Sequence, residues 1–477
     1  MGVYNRSRVV WACWVLFGLG VPVVSAGAFA GGDGTAVNPY QIASPEQWVA
    51  LSSDPNLWDK HFALIRDLDM VGVEPNAVGP VGSREEGRPF AGVLDGRNHT
   101  ISNVRIVRPD WSWVGLFGQI GDNAAEPSEP AVGHVHNLHL RDIHMQGEHF
   151  VGGLVGDLSE GTIRNCSVIG TVTGHDYVGG LVGHASIGEI HSCKTIVRVQ
   201  GVRFVGGLLG NTSADESLAR CSSSGSVQGE TAVGGLIGFW TGSVRTAGVS
   251  PLSSEDEARA EASVSRIAQC RSDCAVYGTE EVGGLIAVAY GRGEIQDCYA
   301  LGFVHGETKV GGLIGQRVGG GVVRCFSAGP VRGVNDVGGL IGKSEPIEDA
   351  NDLEDYPPCQ LIVEKIEGAN PADTPCWRVV YRPAVLACFW DRGMARVVRS
   401  VGSGGGREGI TPLSAGKMAN RARLGRRAWE TETTWARLVT DGTHNLVLLS
   451  DQGWDFKTVW TMRSGGPYPR LQWELAP

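Results

Sequence analysis

Several kinds of pattern are missing from this chain of 477 residues. No segment carries a run of Lys and Arg, and the formal net charge is -10. An acidic chain without a basic stripe makes a poor partner for nucleic acid or an anionic membrane. Charged residues form 19 % of the whole, below the roughly 25 % usual in soluble domains. After residue 30 no stretch stays apolar long enough for a membrane-spanning helix, which needs about 18 residues or more. There is no C-x-x-C pair, no Gly-Lys phosphate loop, no H-E-x-x-H and no G-x-S-x-G. The sequence markers of zinc knuckles, P-loop chemistry, zinc proteolysis and serine hydrolysis are therefore absent.

What is abundant is glycine, at 70 residues, and its positions are ordered. The tetrapeptide V-G-G-L begins at Val151, Val178, Val205, Val233, Val282, Val310 and Val337. The steps are 27, 27, 28, 49, 28 and 27 residues, the long one being a repeat plus an insertion of about 22. A degenerate copy, V-G-L-F-G, begins at Val114. Cys166, Cys193, Cys221, Cys270, Cys298 and Cys325 each stand 12 residues before the next V-G-G-L valine. An aliphatic residue precedes each Cys by three, Val follows by six and Gly by eight. In the copy before Cys166, Leu138 takes the Cys place, as a buried, space-filling role predicts.

Each repeat thus offers three short apolar segments, V-G-G-L-φ-G, I-x-x-C and G-x-V-x-G. Their length, β-branched content and bounding turns read as strands, and no long 3.6-residue pattern competes. Three short strands cannot bury a face alone, but stacked copies can, with like side chains about 4.8 Å apart. Eight V-G-L or V-G-G-L copies would give a stack of roughly 35–40 Å. Glycine would supply left-handed corners and close backbone approach. The predicted fold is all-β: a right-handed, three-strand parallel β-helix with short capping helices and a small C-terminal closing region. A propeller blade needs a longer period, and the leucine-rich pattern hinted at by Asn137–Leu140 does not recur.

The G-L-φ-G cores at Gly153–Gly156, Gly180–Gly183, Gly207–Gly210, Gly235–Gly238, Gly312–Gly315 and Gly339–Gly342 resemble the GLUG motif of secreted bacterial repeat proteins. The fifth copy departs, with Ala287 in the last glycine place. The flanks Pro39–Trp48, Leu57–Met70, Gly92–Asn103, Ala387–Asp391 and Gly453–Trp473 are similar to that family's opening and close. The resemblance implies an architecture and brings no catalytic residues with it.

Residues 1–30 read as a signal peptide, with Arg6 and Arg8 ahead of a 16-residue apolar stretch and cleavage near Ala26 or Ala30. Residues 31–113 should hold an N-terminal cap and the first coils, with Ser44, Pro45 and Gln47 starting a helix. The repeat helix should run over 114–343, interrupted by an insertion at 239–265, and an acidic loop should fill 344–376. The last coils and cap fall to 377–477, where Thr411 and Pro412 suggest another helix and Gly402–Gly409 a linker. Trp429, Trp435, Trp454, Trp460 and Trp473 should pack into the closing region.

No catalytic, cofactor or metal residues are assigned. The ladder cysteines read as buried thiols despite an oxidising destination, and Cys359 and Cys376 as the best disulfide candidates. His134 and His136 alternate on one strand face among His139, His144 and His149, and could share a metal, although a solvated face is the plainer reading. Asp67, Asp69, Asp95, Arg97 and His99 are the nearest thing to the carboxylate cluster of a carbohydrate-active β-helix enzyme, the rival reading. The expected protein is a monomeric, exported, non-catalytic scaffold, adhesin-like, secreted or at the cell surface, with the periplasm left open. Surface glycans or surface proteins would be its partners, and neither nucleic acid nor a cofactor is expected.

Overall fold

The computed structural model describes residues 29–83, 87–122, 132–212, 217–242, 265–291 and 293–345. Beyond these it describes 359–365, 377–383, 385–386, 388–391, 399, 401–404, 410–413, 460–462 and 469–475. Residues 1–28 of the proposed leader with the Ala26 cleavage position, Cys376, Trp429, Trp435 and Trp454 lie outside the described residues.

The chain winds through three sheets whose described pairings are all parallel, collecting 18, 15 and seven strand segments. One complete coil shows the scheme. Asp176–Gly179 lies in the seven-stranded sheet, Val182–His191 in the 18-stranded sheet and Lys194–Gln200 in the 15-stranded sheet. The V-G-G-L valines stack in register from Val151 to Val337, and Val114 bridges to Val151 beneath them. Val233 pairs directly with Val282, so the column runs unbroken past the long step. The fold is thus a parallel β-solenoid.

The apolar segments and the strands do not coincide. V-G-G-L straddles a corner: Val178 and Gly179 end one strand, Gly180 and Leu181 bend, and Val182 opens the next. I-x-x-C likewise places Cys193 in the corner between Val182–His191 and Lys194–Gln200. Inside, Val178, Leu181, Val182, Ile190, Cys193 and Val199 are all buried. Each fully buried aliphatic contributes roughly 1.5–3 kcal/mol.

Glycine is not what turns these corners. No V-G-G-L glycine has a left-handed φ. The left-handed residues are the ones just before each Cys and just before each V-G-G-L valine, such as Ser192 (57°) and Tyr177 (58°). The glycines serve closeness instead. A Cβ on Gly180 would run into the Gly207 carbonyl of the next coil, and one on Gly179 into the Val182 carbonyl.

The thiol file continues through a seventh member, Cys388; all its members are buried, and the six from Cys166 to Cys325 are free thiols. Each sulfur from Cys166 to Cys325 lies near two carbonyls, as Cys193 Sγ does with Ile163 O (3.7 Å) and His191 O (3.4 Å). Sulfur also accepts: Cys193 N–H donates to Cys221 Sγ at 3.4 Å, and Cys298 N–H to Cys325 Sγ at 3.4 Å. The thiol therefore satisfies a buried corner amide as well as filling space. Burial opposes ionisation all along the file and pushes the neighbouring Cys274 thiol up to about 11.

The helix Pro45–Ser53 forms where expected. Gln47 N–H donates to Ser44 Oγ (3.4 Å), and Gln47 Oε1 accepts from Ala43 N–H (2.7 Å), one residue further back than a capping box. Four expectations change. Phe239–Thr241, placed in the first insertion, complete the strand Ile237–Thr241. Cys359–Lys365, placed in the acidic loop, pairs antiparallel with Trp377–Pro383. Thr411 and Pro412 start no helix, because Ile410–Leu413 is a strand on Cys388–Asp391. Val401–Gly404, the start of the supposed linker, pairs with Ile341–Ser344 as a further rung.

The C-terminal segment runs along the side of the stack. Pro469–Leu471 pairs with Trp460–Met462. Tyr299 Oη donates to Glu474 Oε1 (2.6 Å) and accepts from Arg470 Nη1 (2.9 Å), while Trp473 Nε1 donates to Gln269 O (3.0 Å). Trp473 thus closes over mid-stack coils.

Candidate functional site

The carboxylates singled out in the opening coils are occupied with holding turns. Asp67 Oδ1 accepts from Thr100 N–H (2.9 Å) and lies 3.1 Å from His99 Nδ1. Asp69 Oδ1 accepts from Asn103 Nδ2 (2.7 Å) and Val71 N–H (3.1 Å). Asp95 Oδ1 accepts from Arg97 N–H (2.9 Å) and Asn137 Nδ2 (3.0 Å). The Thr100 amide and His99 hold the Asp67 carboxyl below its usual range, and Asn103 and the Val71 amide do the same for Asp69. A glycosidic acid needs the opposite shift.

The two histidines that could have shared a metal take separate partners. His134 Nδ1 lies 2.9 Å from Thr162 Oγ1, whereas His136 Nε2 lies 3.7 Å from Asp95 Oδ1. His139 Nδ1 turns to Ser167 Oγ at 2.9 Å. Burial lowers the affinity of His134, His139 and His144 for a proton.

What sequence reading missed is an outward edge built by the left-handed corner ahead of V-G-G-L. Trp113, Phe150, Tyr177 and Phe204 stack there in successive coils. Their ring centroids are 5.5, 4.6 and 5.0 Å apart, with interplanar angles of 2, 1 and 18°. All four are half-buried. The adjoining file on the 18-stranded sheet runs Gln119, Asp157, His184, Asn211, Phe239 and Val288. The His184 ring meets Phe150 edge-on at 5.7 Å, and Phe204 meets Phe239 at 5.5 Å and 82°. Beneath the rings Asp157, 1 % exposed, takes His184 Nδ1 (2.8 Å) and Ser159 Oγ–H (2.9 Å). Both partners are spent on the same carboxylate, so Ser159 is not aimed at His184 as a nucleophile would be at its base.

Further along, the same corner becomes Ala232, Glu281, Lys309 and Asp336. Lys309 Nζ reaches Glu280 and Glu281 at 2.9 Å each and Gln316 at 3.2 Å. Burial works against the Lys309 charge, but the two glutamates win and hold its proton more firmly than usual. The second left-handed corner is polar throughout. Asn137 and Asn165 join at 2.9 Å, and Arg324 grips Asp297 through two bonds of 2.7 and 2.8 Å. The residue one place ahead of each Cys and each V-G-G-L valine was the readable signal.

Residues 149–173, one full coil, match the GLUG motif. The chain carries the GLUG motif and repeats its core along the stack. Two curated proteins are similar to it over part of its length. Halomucin of Haloquadratum walsbyi is 34 % identical over 162 residues, covering 32 % of this chain and 2 % of halomucin. A protein of Evansella cellulosilytica provisionally named a Gly-rich membrane protein is 34 % identical over 148 residues, covering 29 % of this chain and 15 % of its own. The GLUG-repeat chain thus spans a small part of either relative. Among solved structures, one presented as a candidate immunoglobulin A1 protease of Bacteroides ovatus overlaps 94 % of this chain and 96 % of its own. At 15 % identity and a TM-score of 0.41 that likeness carries no argument. No helix among the described residues is long and apolar enough to cross a membrane.

Proposed function

We propose that this GLUG-repeat protein is an exported, non-catalytic scaffold of adhesin-like kind, working at the cell surface or in the matrix around it. The observation that carries the reading is the pairing of a rigid inner column with an outward edge of variable chemistry, aromatic in the early coils and charged in the later ones. Such an edge suits contact with a large partner, because rigid rings need little ordering when they are covered. The leader-like first thirty residues support export, and the mucin-like and membrane names of the two relatives support a surface setting. Surface glycans and surface proteins are the partner classes proposed. The carbohydrate-active alternative is not favoured, since Asp67, Asp69 and Asp95 are tied into turns.

The test is fractionation of the producing cells combined with binding of the full chain to immobilised glycans, matrix and surface proteins. Retention with the surface fraction and saturable binding that Tyr177→Ala weakens are expected. Release into the medium with no binding to any component overturns the reading. Cleavage of a polysaccharide that is lost in Asp67→Ala also overturns it.

A further inference from the structure

Beside the aromatic file, one strand position before it, three consecutive coils set different residues over one another: His149 pairs with Asp176 and Asp176 with Arg203. His175 stands immediately ahead of Asp176. The four side chains meet around the Asp176 carboxylate, which is 4 % exposed, while His149 is 34 % and His175 54 % exposed. His175 Nδ1 lies 3.0 Å from Asp176 Oδ1, and His149 Nδ1 lies 3.5 Å from Oδ2. The two imidazoles stand edge to face, 5.6 Å apart at 87°. One ligand atom from each of His149, His175 and Asp176 falls within 4.8 Å of the others.

We propose that His149, His175 and Asp176 form a site for a divalent ion of the zinc class, a property that does not depend on the adhesin-like reading. Three observations converge. First, the donor set is two imidazoles and one carboxylate, which suits a borderline transition ion better than calcium or magnesium. Zinc bonds of about 2.0–2.1 Å in a tetrahedron set ligand atoms roughly 3.4 Å apart, and the three donors here, all within 4.8 Å of one another, need only a small inward turn of the imidazoles to reach that spacing. Second, His149 Nδ1 is buried and makes no hydrogen bond, although its neighbours offer acceptors. A buried polar nitrogen without a partner is costly, and a bound ion would relieve it. Third, Glu148 Oε1 stands 3.6 Å from His149 Nε2. A ligating histidine commonly directs its other nitrogen to a carboxylate, which fixes the ring and its tautomer.

Arg203 now balances the carboxylate, with Nε 3.0 Å from Oδ1 and Nη2 2.6 Å from Oδ2. Its side chain is 55 % exposed, so it can swing into water when an ion arrives. Guanidinium and metal therefore compete for Asp176. Solvent would complete the coordination. At the corner between the aromatic rings and open water, an ion would tie together two coils.

The experiment uses the full chain, stripped with chelator and titrated with zinc chloride by calorimetry, with calcium chloride alongside. One saturable zinc site is expected, weakened at least tenfold by His175→Ala or His149→Ala and tightened by Arg203→Ala. The exposed His175 can be replaced without disturbing the fold, which circular dichroism checks. As a second readout, cobalt(II) should give visible bands at one equivalent that zinc erases. No saturable zinc binding, equal binding by the double histidine variant, tighter calcium than zinc binding, or no cobalt bands would each overturn the proposal.

Discussion

The corner ahead of V-G-G-L has one backbone and two chemistries. From Trp113 to Phe204 it is a pile of rings; from Glu281 to Asp336 it is charged. The φ angles hardly change, 55° at Phe150 and 54° at Lys309. Nor does the register, since the valines one place on stay paired throughout. The contrast separates what fixes this fold from what decorates it. Geometry comes from the inner column and from backbone closeness at the glycines. The outer file can be rewritten at the same dihedrals.

The hardest blow to that comparison would come from the glycines. Gly180→Val and Gly312→Val each drive a side chain into the carbonyl of the next coil, Gly207 and Gly339 respectively. Both should cost about 3 kcal/mol or more, read as urea midpoints. If one end tolerates the change, the column is not alike at its two ends.

Next in size, Tyr177→Ala removes a ring sandwiched between Phe150 and Phe204 and should cost about 2 kcal/mol. Lys309→Ala should cost under ~1 kcal/mol, and that effect should shrink in molar salt. Hydrogen exchange resolved by coil can compare the two directly.

Acid and alkali should then split the corner. Burial works against the Asp176 charge, yet the Arg203 guanidinium prevails and holds its carboxyl below the usual value. Its stabilisation is complete above about pH 4 and is lost as pH falls through the lowered folded value. Lys309 has the opposite sign, with a folded value raised by Glu281 and Glu280 above its usual 10.5. Its contribution is full below that value and disappears as pH climbs through the folded one. Exchange protection should fade first near Asp176 in acid and near Lys309 in alkali. Uniform loss along the stack would contradict this.

The gentlest change is Ala232→Gly. Ala232 sits at a left-handed φ of 55°, where glycine is relaxed, but its methyl is buried in a cluster that Phe204 and Phe239 cover; strain relief and lost burial oppose each other, so a net change below about 0.5 kcal/mol is expected from thermal melts.

Most of the column was legible because burial repeats at a fixed interval. Val, Leu, Ile and Cys could be laid rung on rung from letters alone, and the pairings of Val151 to Val337 follow them. The corners were misread because V-G-G-L looks like one strand, whereas its second glycine already belongs to the bend. Left-handed backbone was credited to glycine, but Asn, Ser, Arg, Phe and Lys adopt it here, held by stacking that no single repeat reveals. Cys388 escaped the file because 63 residues separate it from Cys325. The Asp176 cluster was hidden for a similar reason: His149, Asp176 and Arg203 are unlike residues sharing one register.

Each decorated corner residue lies one position ahead of a side chain that points into the interior. Losing or gaining a single residue there would swing the next letter from water to grease and throw every later rung out of step. Variation on the outside of this molecule is therefore confined to spelling. Changes of length are confined to places that absorb them, such as the register shift that Val168 and Gly170 make against Leu140 and Ile143, and a lineage of such proteins would diversify its edge while keeping the same metre.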